Sequence, residues 1–225
     1  MPAPLSIVIP TLNSASDLPD TLASLIEGLD AGLVRDLIVS DGGSGDATVL
    51  LAGDVGAHVV TGLAGRGGQL QRGAAAAKGD WMLFLHADTH LPAGWAGVVS
   101  NHIANHKTAG YFRLKFRASG IAPVIVAGWA NLRSRLGLPY GDQGLLISAA
   151  LYRDKGGYAD IALMEDVAMA RQLRGCLTRL PATATTGAEK YLGQGWFWRG
   201  ALNLWTLARY ALGVSPQKLA RHYNR

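Results

Sequence analysis

Three polar clusters combine carboxylates, hydroxyls and small residues in a way suited to a nucleotide. Pro10-Thr11-Leu12-Asn13 closes a short apolar run, Asp41-Gly42-Gly43-Ser44-Gly45-Asp46 closes a second, and His86-Ala87-Asp88-Thr89 closes another. A carboxylate followed by glycines, as at Asp41 and Gly42, can accept hydrogen bonds from a base or ribose while the backbone approaches closely. The same residues also suit a plain turn with a helix N-cap at Ser44 or Asp46. Asp88 has the chemistry to hold Mg²⁺ or Mn²⁺ against two phosphates. His86 is either a second ligand, favouring the softer ion, or a strand-end histidine. Between these clusters runs Arg66-Gly67-Gly68-Gln69-Leu70-Gln71-Arg72, a glycine-rich helix entry whose guanidinium and amides favour phosphate oxygens. Further on, Glu165 and Asp166 open a helical stretch. The helix dipole alone favours acids there, and a carboxylate in that place can also take a proton from a hydroxyl.

Alternating strand and helix patterns position these clusters. Residues 5–10, 36–40, 58–61 and 81–85 are short apolar runs that predict strands, and residues 16–29, 46–55 and 69–78 carry helical spacing. Continuous apolar strands alternating with helices predict an α/β fold with a mostly parallel sheet covered on both faces, where ligands collect at the carboxyl ends of the strands. Beyond Pro92 the pattern loosens. It predicts a helix to about Asn105, a strand at 111–116, a helix at 121–136, a strand at 145–148, a helix at 165–174 and a helical last forty residues divided near Gly213 and Pro216.

PTLN, DGGSGDAT, an LHADT at the end of an apolar strand and a later MED, in this order, resemble the family 2 glycosyltransferases. The likeness runs from about residue 5 to residue 174. Residues 65–89 are especially similar to a bacterial subgroup associated with radical-SAM proteins. The resemblance implies the GT-A fold of nucleotide-diphospho-sugar transferases, with a domain at 1–190 and a helical C-terminal extension of it at 191–225. It further implies transfer of a sugar from a nucleotide diphosphate to an acceptor hydroxyl, with inversion and a divalent metal. Asp166 maps onto the family's catalytic base and Glu165 onto the residue beside it. Pro10, Thr11, Asn13, Asp41, Gly42, Arg66, Gln69, His86, Ala87 and Asp88 fall on the donor side, with Asp88 and His86 as metal ligands. His86 departs from the family pattern, which has an aspartate there. Asp142, Gln143, Trp196 and Arg199 fall on the acceptor side, and Trp205 is expected in core or interface packing.

Other classes lose support on the same residues. No G-x-x-x-x-G-K-[ST] loop is present, and no G-x-G-x-x-G follows the first strand, which argues against P-loop and dinucleotide chemistry. A nucleotidyltransferase would need a glycine- and arginine-bearing loop after the first strand, where PTLNSASD stands. A binding protein that has lost catalysis fits the same clusters and differs only in turnover. The single cysteine, Cys176, cannot form an internal disulfide, and the amino terminus lacks a cationic secretory leader, so the expected setting is cytoplasmic. Residues 89–141 and 190–225 contain no Asp or Glu and six Lys or Arg each. Such stretches attract phosphates or anionic lipid. No recognition helix or zinc-ligand pattern supports a nucleic-acid partner. The tryptophan-rich C-terminal stretch suits the inner membrane face and a lipid-linked acceptor, and it equally suits packing on the sheet or a dimer contact.

Overall fold

A computed structural model describes residues 3–223. The first half alternates β1 (Leu5–Thr11), α1 (Leu18–Ser24), α2 (Ile26–Asp30), β2 (Val34–Asp41), α3 (Thr48–Asp54), β3 (His58–Thr61), α4 (Arg66–Ala76) and β4 (Trp81–Phe84). The second half continues with β5 (Thr89–His90), α5 (Trp95–Asn105), β6 (Ala109–Phe116), α6 (Ile121–Arg135), a 3₁₀ turn (Gly141–Gln143), β7 (Leu145–Ser148), α7 (Ala149–Asp154), α8 (Glu165–Gln172) and β8 (Leu177–Thr186). Three helices follow: α9 (Glu189–Gln194), α10 (Trp196–Ala211) and α11 (Pro216–Tyr223).

The strands form one sheet in the order β3-β2-β1-β4-β7-β6-β8-β5. Four of its pairings are parallel, and β7 and β5 contribute the antiparallel ones. Alternation along β1 shows why both faces are covered. Leu5, Ile7 and Ile9 face a core that includes Leu18 of α1, Trp95 and Val99 of α5 and Leu180 of β8. Val8 faces the other way, with Leu70 of α4 and Met169 of α8. Each of these fully buried aliphatic side chains stabilises the fold by about 1.5–3 kcal/mol.

Three expectations need correction. The helix read at 16–29 is broken at Leu25 into α1 and α2, and Gly28 of α2 lies so close to Trp95 that a Cβ there would meet the indole at 2.5 Å. Helix α7 was not foreseen. Nor was β8, a ten-residue strand containing Pro181. Its pairing with β6 shifts register between Tyr111 and Arg113, the kind of irregularity that tolerates a proline inside a sheet.

Candidate active site

The carboxyl ends of β1, β2 and β4 point to one side of the sheet, but their polar clusters divide into two groups. The first is built on Asp41. Its carboxylate is buried and accepts hydrogen bonds from the Thr11 hydroxyl at 3.0 Å, the Gly43 and Ser44 amides at 2.8 Å each, and the Ser44 hydroxyl. Burial alone would raise the pKa of Asp41, yet the bonds from Ser44, Gly43 and Thr11 outweigh it and hold the carboxyl below its usual value. Gln69 is buried beside it and donates to the carbonyls of Thr11 and Ser40, tying the ends of β1 and β2 to α4. Gly42 leaves just enough room, since a Cβ there would lie 3.1 Å from Gln69 Nε2. Asn13, at φ +50°, accepts from the Gly45 amide and completes the loop. Thr11, Gln69 and Asp41 thus spend their polar atoms on the chain itself.

The second group lines a cavity of about 360 Å³. It gathers Arg66, His86, Asp88, Asp142, Glu165 and Asp166, with Lys190, Tyr191 and Arg199 on the opposite wall. Arg66 enters from the first turn of α4. A Cβ at Gly67 would collide with the Ala159 carbonyl, so only glycine lets α4 press on the loop that leads into α8. There Arg66 Nη1 lies 3.4 Å from Glu165 Oε1. Glu165 is almost fully buried, which raises its pKa to about 7; Asp166 beside it adds to the shift and Arg66 opposes it. Asp166 Oδ2 accepts from the Gly141 amide at 3.1 Å and Oδ1 from the Val167 amide at 2.7 Å, leaving each oxygen a lone pair. Met164, just before the pair, holds φ +69° in a buried position, a backbone strain of the sort that gathers at functional sites. Its side chain packs with Val167 and with Leu219 of α11, so the C-terminal helices brace the acidic pair.

His86 sits against Gly141, where a Cβ would come within 2.5 Å of Nε2. Burial, reinforced by Arg66, lowers its pKa to about 4, so the imidazole is neutral at physiological pH. Asp88 Oδ1 accepts from the hydroxyls of Thr89 and Thr186, each at 3.3 Å. Burial raises the Asp142 pKa to about 6 against the opposing pull of Arg133. Among the described residues Asp142 Oδ1 and Arg133 Nε and Nη2 are buried without a partner, so the cavity holds unspent polar atoms of both signs.

These atoms bear on a divalent ion. Among the described residues no three His, Cys, Asp or Glu side chains form a ready cage. A carboxylate at Asp88 and a neutral imidazole at His86 fit an ion that draws its remaining ligands from phosphate and water, the usual mode for Mg²⁺ and Mn²⁺ beside nucleotides.

Two residues read on the acceptor side are engaged with the fold itself. Gln143 is fully buried: Oε1 accepts from the Ser134 hydroxyl and Nε2 donates to the Phe112 carbonyl at 2.9 Å, so the residue fastens the 3₁₀ turn to β6 and α6. Trp196 stacks on Tyr191 at 4.9 Å and meets Phe116 edge-on at 5.1 Å, and it is Tyr191 and Phe116 rather than Trp196 that line the cavity. Arg199 does reach the cavity, held by Gln194 at 3.0 Å. Sequence reasoning missed Thr186, Lys190, Tyr140 and Arg133. Only the acid-free composition around Arg133 and Lys190 hinted at the last wall.

Comparison with known proteins bears on the residues from β1 to the start of α6. The model of glycosyl transferase family 2 matches residues 6–120, just over half of the chain. The chain belongs to this family. Arg66, His86 and Asp88 lie inside the matched span, whereas Asp142, Glu165, Asp166, Lys190 and Arg199 lie beyond it. A glucosyl-3-phosphoglycerate synthase of Mycolicibacterium paratuberculosis is 36% identical over 100 residues, 39% of this chain and 29% of that protein. The solved structure of S. aureus TarS 1-349 with UDP-GlcNAc superposes with a TM-score of 0.63 at 17% identity, over 81% of this chain and 58% of that one. The glucosyl-3-phosphoglycerate synthase of Mycobacterium tuberculosis, in complex with Mn²⁺, UDP and phosphoglyceric acid, gives 0.59 at 20% identity over 89% and 78%. These likenesses establish the GT-A fold for the family 2 chain. It spans under a third of the curated relative and under three fifths of the TarS structure.

Proposed function

We propose that the chain transfers a sugar from a nucleotide diphosphate to an acceptor hydroxyl with inversion, and that 1–190 and 191–225 act together in doing so. The observation that carries this reading is the cavity in which Asp166 and Asp88 stand among Arg66, Lys190 and Arg199. In the reaction Asp166 takes the proton of the acceptor hydroxyl, the hydroxyl oxygen bonds to the anomeric carbon, and the bond from that carbon to the diphosphate oxygen breaks on the opposite face. Arg66 and Lys190 line the same cavity and supply cations for the charge that gathers on the departing diphosphate. Asp88 and His86 would hold a divalent cation, which when bound neutralises that same charge. Relatives in complex with UDP, UDP-GlcNAc and Mn²⁺ support a nucleotide-diphosphate donor and a metal of this kind. The likeness of residues 65–89 to the radical-SAM-associated subgroup and a cytoplasmic site of action belong to the same reading.

Pro10, Thr11, Asn13, Asp41, Gly42, Gln69 and Ala87 then shape the donor loop. Asp41 meets a base only if its own bonds open. Calorimetric titration of UDP, GDP, CDP and dTDP sugars with Mn²⁺ or Mg²⁺ tests the proposal against Asp88→Ala and Asp166→Asn. The expected result is metal-dependent binding of one donor, lost in Asp88→Ala and kept in Asp166→Asn, which instead loses turnover. Absence of binding to every donor under either metal would refute it.

A further inference from the structure

Two helices of this molecule are amphipathic in the wrong direction for a globular protein. On α6 the outward positions recur at helical spacing and carry Ile121, Val124, Ile125, Trp129 and Leu132, with Leu136 just past the helix end. The inward side carries small and polar residues. Asn131 brackets the Leu114 backbone with bonds of 2.8 and 2.9 Å, and Ser134 is buried. On α10 the outward positions carry Phe197, Trp198, Leu204 and Trp205, with Leu212 just past the helix end, while Arg199 and Thr206 are buried and Asn203 bonds to Tyr191 and Tyr223. These eleven large apolar side chains are 40–84% exposed. Large apolar side chains gathered in this way mark an interaction surface.

The helices pack on one another, and Trp129 and Leu204, one from each stripe, also line the cavity. The cavity therefore opens within the apolar face. Charge selects the occupant. Helix α6 carries Arg133 and Arg135 and helix α10 carries Arg199 and Arg209, with Arg199 buried and no acidic residue on either helix. Two copies meeting through this face would bring like charges together, whereas an anionic bilayer complements it. Exposed tryptophans beside basic residues are the composition that lies in a membrane interface. None of the described helices is long and apolar enough to cross a membrane.

We infer that α6 and α10 form a platform that beds into the interface of an anionic bilayer, so that the acceptor hydroxyl reaches Asp166 on a lipid. The acceptor half rests on the transferase reading above; the docking half does not.

The test uses the full chain with phosphatidylcholine vesicles, with or without phosphatidylglycerol, at low and high salt. Flotation with the anionic vesicles and a blue shift of tryptophan emission are expected. Ile125→Glu combined with Trp205→Glu, both outside the cavity, should weaken flotation more than about tenfold, and Leu50→Glu on exposed α3 should not. Wild-type protein that stays soluble with anionic vesicles at low salt overturns the docking, as does a double variant that floats like wild type. Light scattering that finds a dimer, dissolved by the double variant and indifferent to vesicles, assigns the face to a second copy instead. Donor titration without vesicles separates the two proposals: vesicle binding with no donor binding leaves the platform and sinks the transferase. With a labelled donor and vesicles of polar lipid extract, label should pass into the organic-extractable fraction. Label confined to water-soluble products overturns the lipid acceptor.

Discussion

Replacing Glu165 with glutamine should stabilise the protein, and by an amount that depends on pH. The side chain is 3% exposed and its pKa is raised from 4.5 to about 7, because burial and the Asp166 charge penalise the carboxylate more than Arg66 at 3.4 Å favours it. The native state therefore keeps a proton that the unfolded chain loses above pH 4.5. The stabilising share of this proton is complete below that value and disappears as pH rises through about 7. A shift of this size corresponds to about 3 kcal/mol at about 1.4 kcal/mol per unit. Glutamine keeps the shape and carries no charge, so at pH 5 the variant should match wild type to within about 1 kcal/mol. At pH 8 it should be more stable by up to about 3 kcal/mol, or roughly 6 °C in Tm for a chain of this length. His86 and Asp142 titrate in both proteins, so their effects largely cancel in the difference. Urea and thermal unfolding of the pair at pH 5, 6.5 and 8 measure it. A difference that stays flat over this range, or that turns against the variant as pH rises, would show that Arg66 dominates and that Glu165 is held as a carboxylate.

Asp166→Asn should lower kcat by about 10²- to 10⁴-fold with donor affinity unchanged in calorimetry, since the amide cannot take the acceptor proton. Gln143→Ala should cost about 1–3 kcal/mol in urea unfolding, because the Phe112 carbonyl loses its side-chain donor and the 3₁₀ turn its tie to Ser134, and should leave the acceptor KM where it is. Gly67→Ala should destabilise by about 1–3 kcal/mol and reduce kcat, since the new methyl drives α4 and Arg66 away from the Ala159 carbonyl and the loop before α8.

The half of the fold that follows local rules was legible in the sequence. Strand β7 falls at 145–148 as its apolar run requires, and β1 and β4 each end within one residue of the expected bound, at Thr11 and Phe84. Strand β8 was hidden because Pro181 and a row of threonines read as a connection; the register shift opposite that proline is a tertiary fact. The site divides in the same way. Arg66, His86, Asp88, Glu165 and Asp166 stand beside strand ends or helix starts and could be found by position. Asp41 and Gln69 were equally visible, but the four hydrogen bonds that tie Asp41 into its own loop depend on which amides and hydroxyls the fold brings round it. Arg133, Tyr140 and Lys190 reach the cavity only because β6 and β8 curl round beside β7, which no local pattern states.

The direction of an amphipathic face is a different kind of unknown. Periodicity tells which residues of a helix share a side and leaves open whether that side is turned to the core, so Trp205 reads from sequence as packing and is 63% exposed in the fold. Bonding on the other side decides the sign. Asn131 and Ser134 on α6 bond to Leu114 and Gln143, and Arg199 and Asn203 on α10 bond to Gln194 and Tyr191, so turning either helix over would strand these groups among apolar side chains. Each buried polar group left without a partner costs about 1–3 kcal/mol, comparable to the gain from burying one large apolar side chain. The fold thus keeps these bonded groups inward and leaves the apolar stripes of α6 and α10 outward, with Trp129 and Leu204 lining the cavity, and a bilayer is the medium in which both faces of these helices are satisfied.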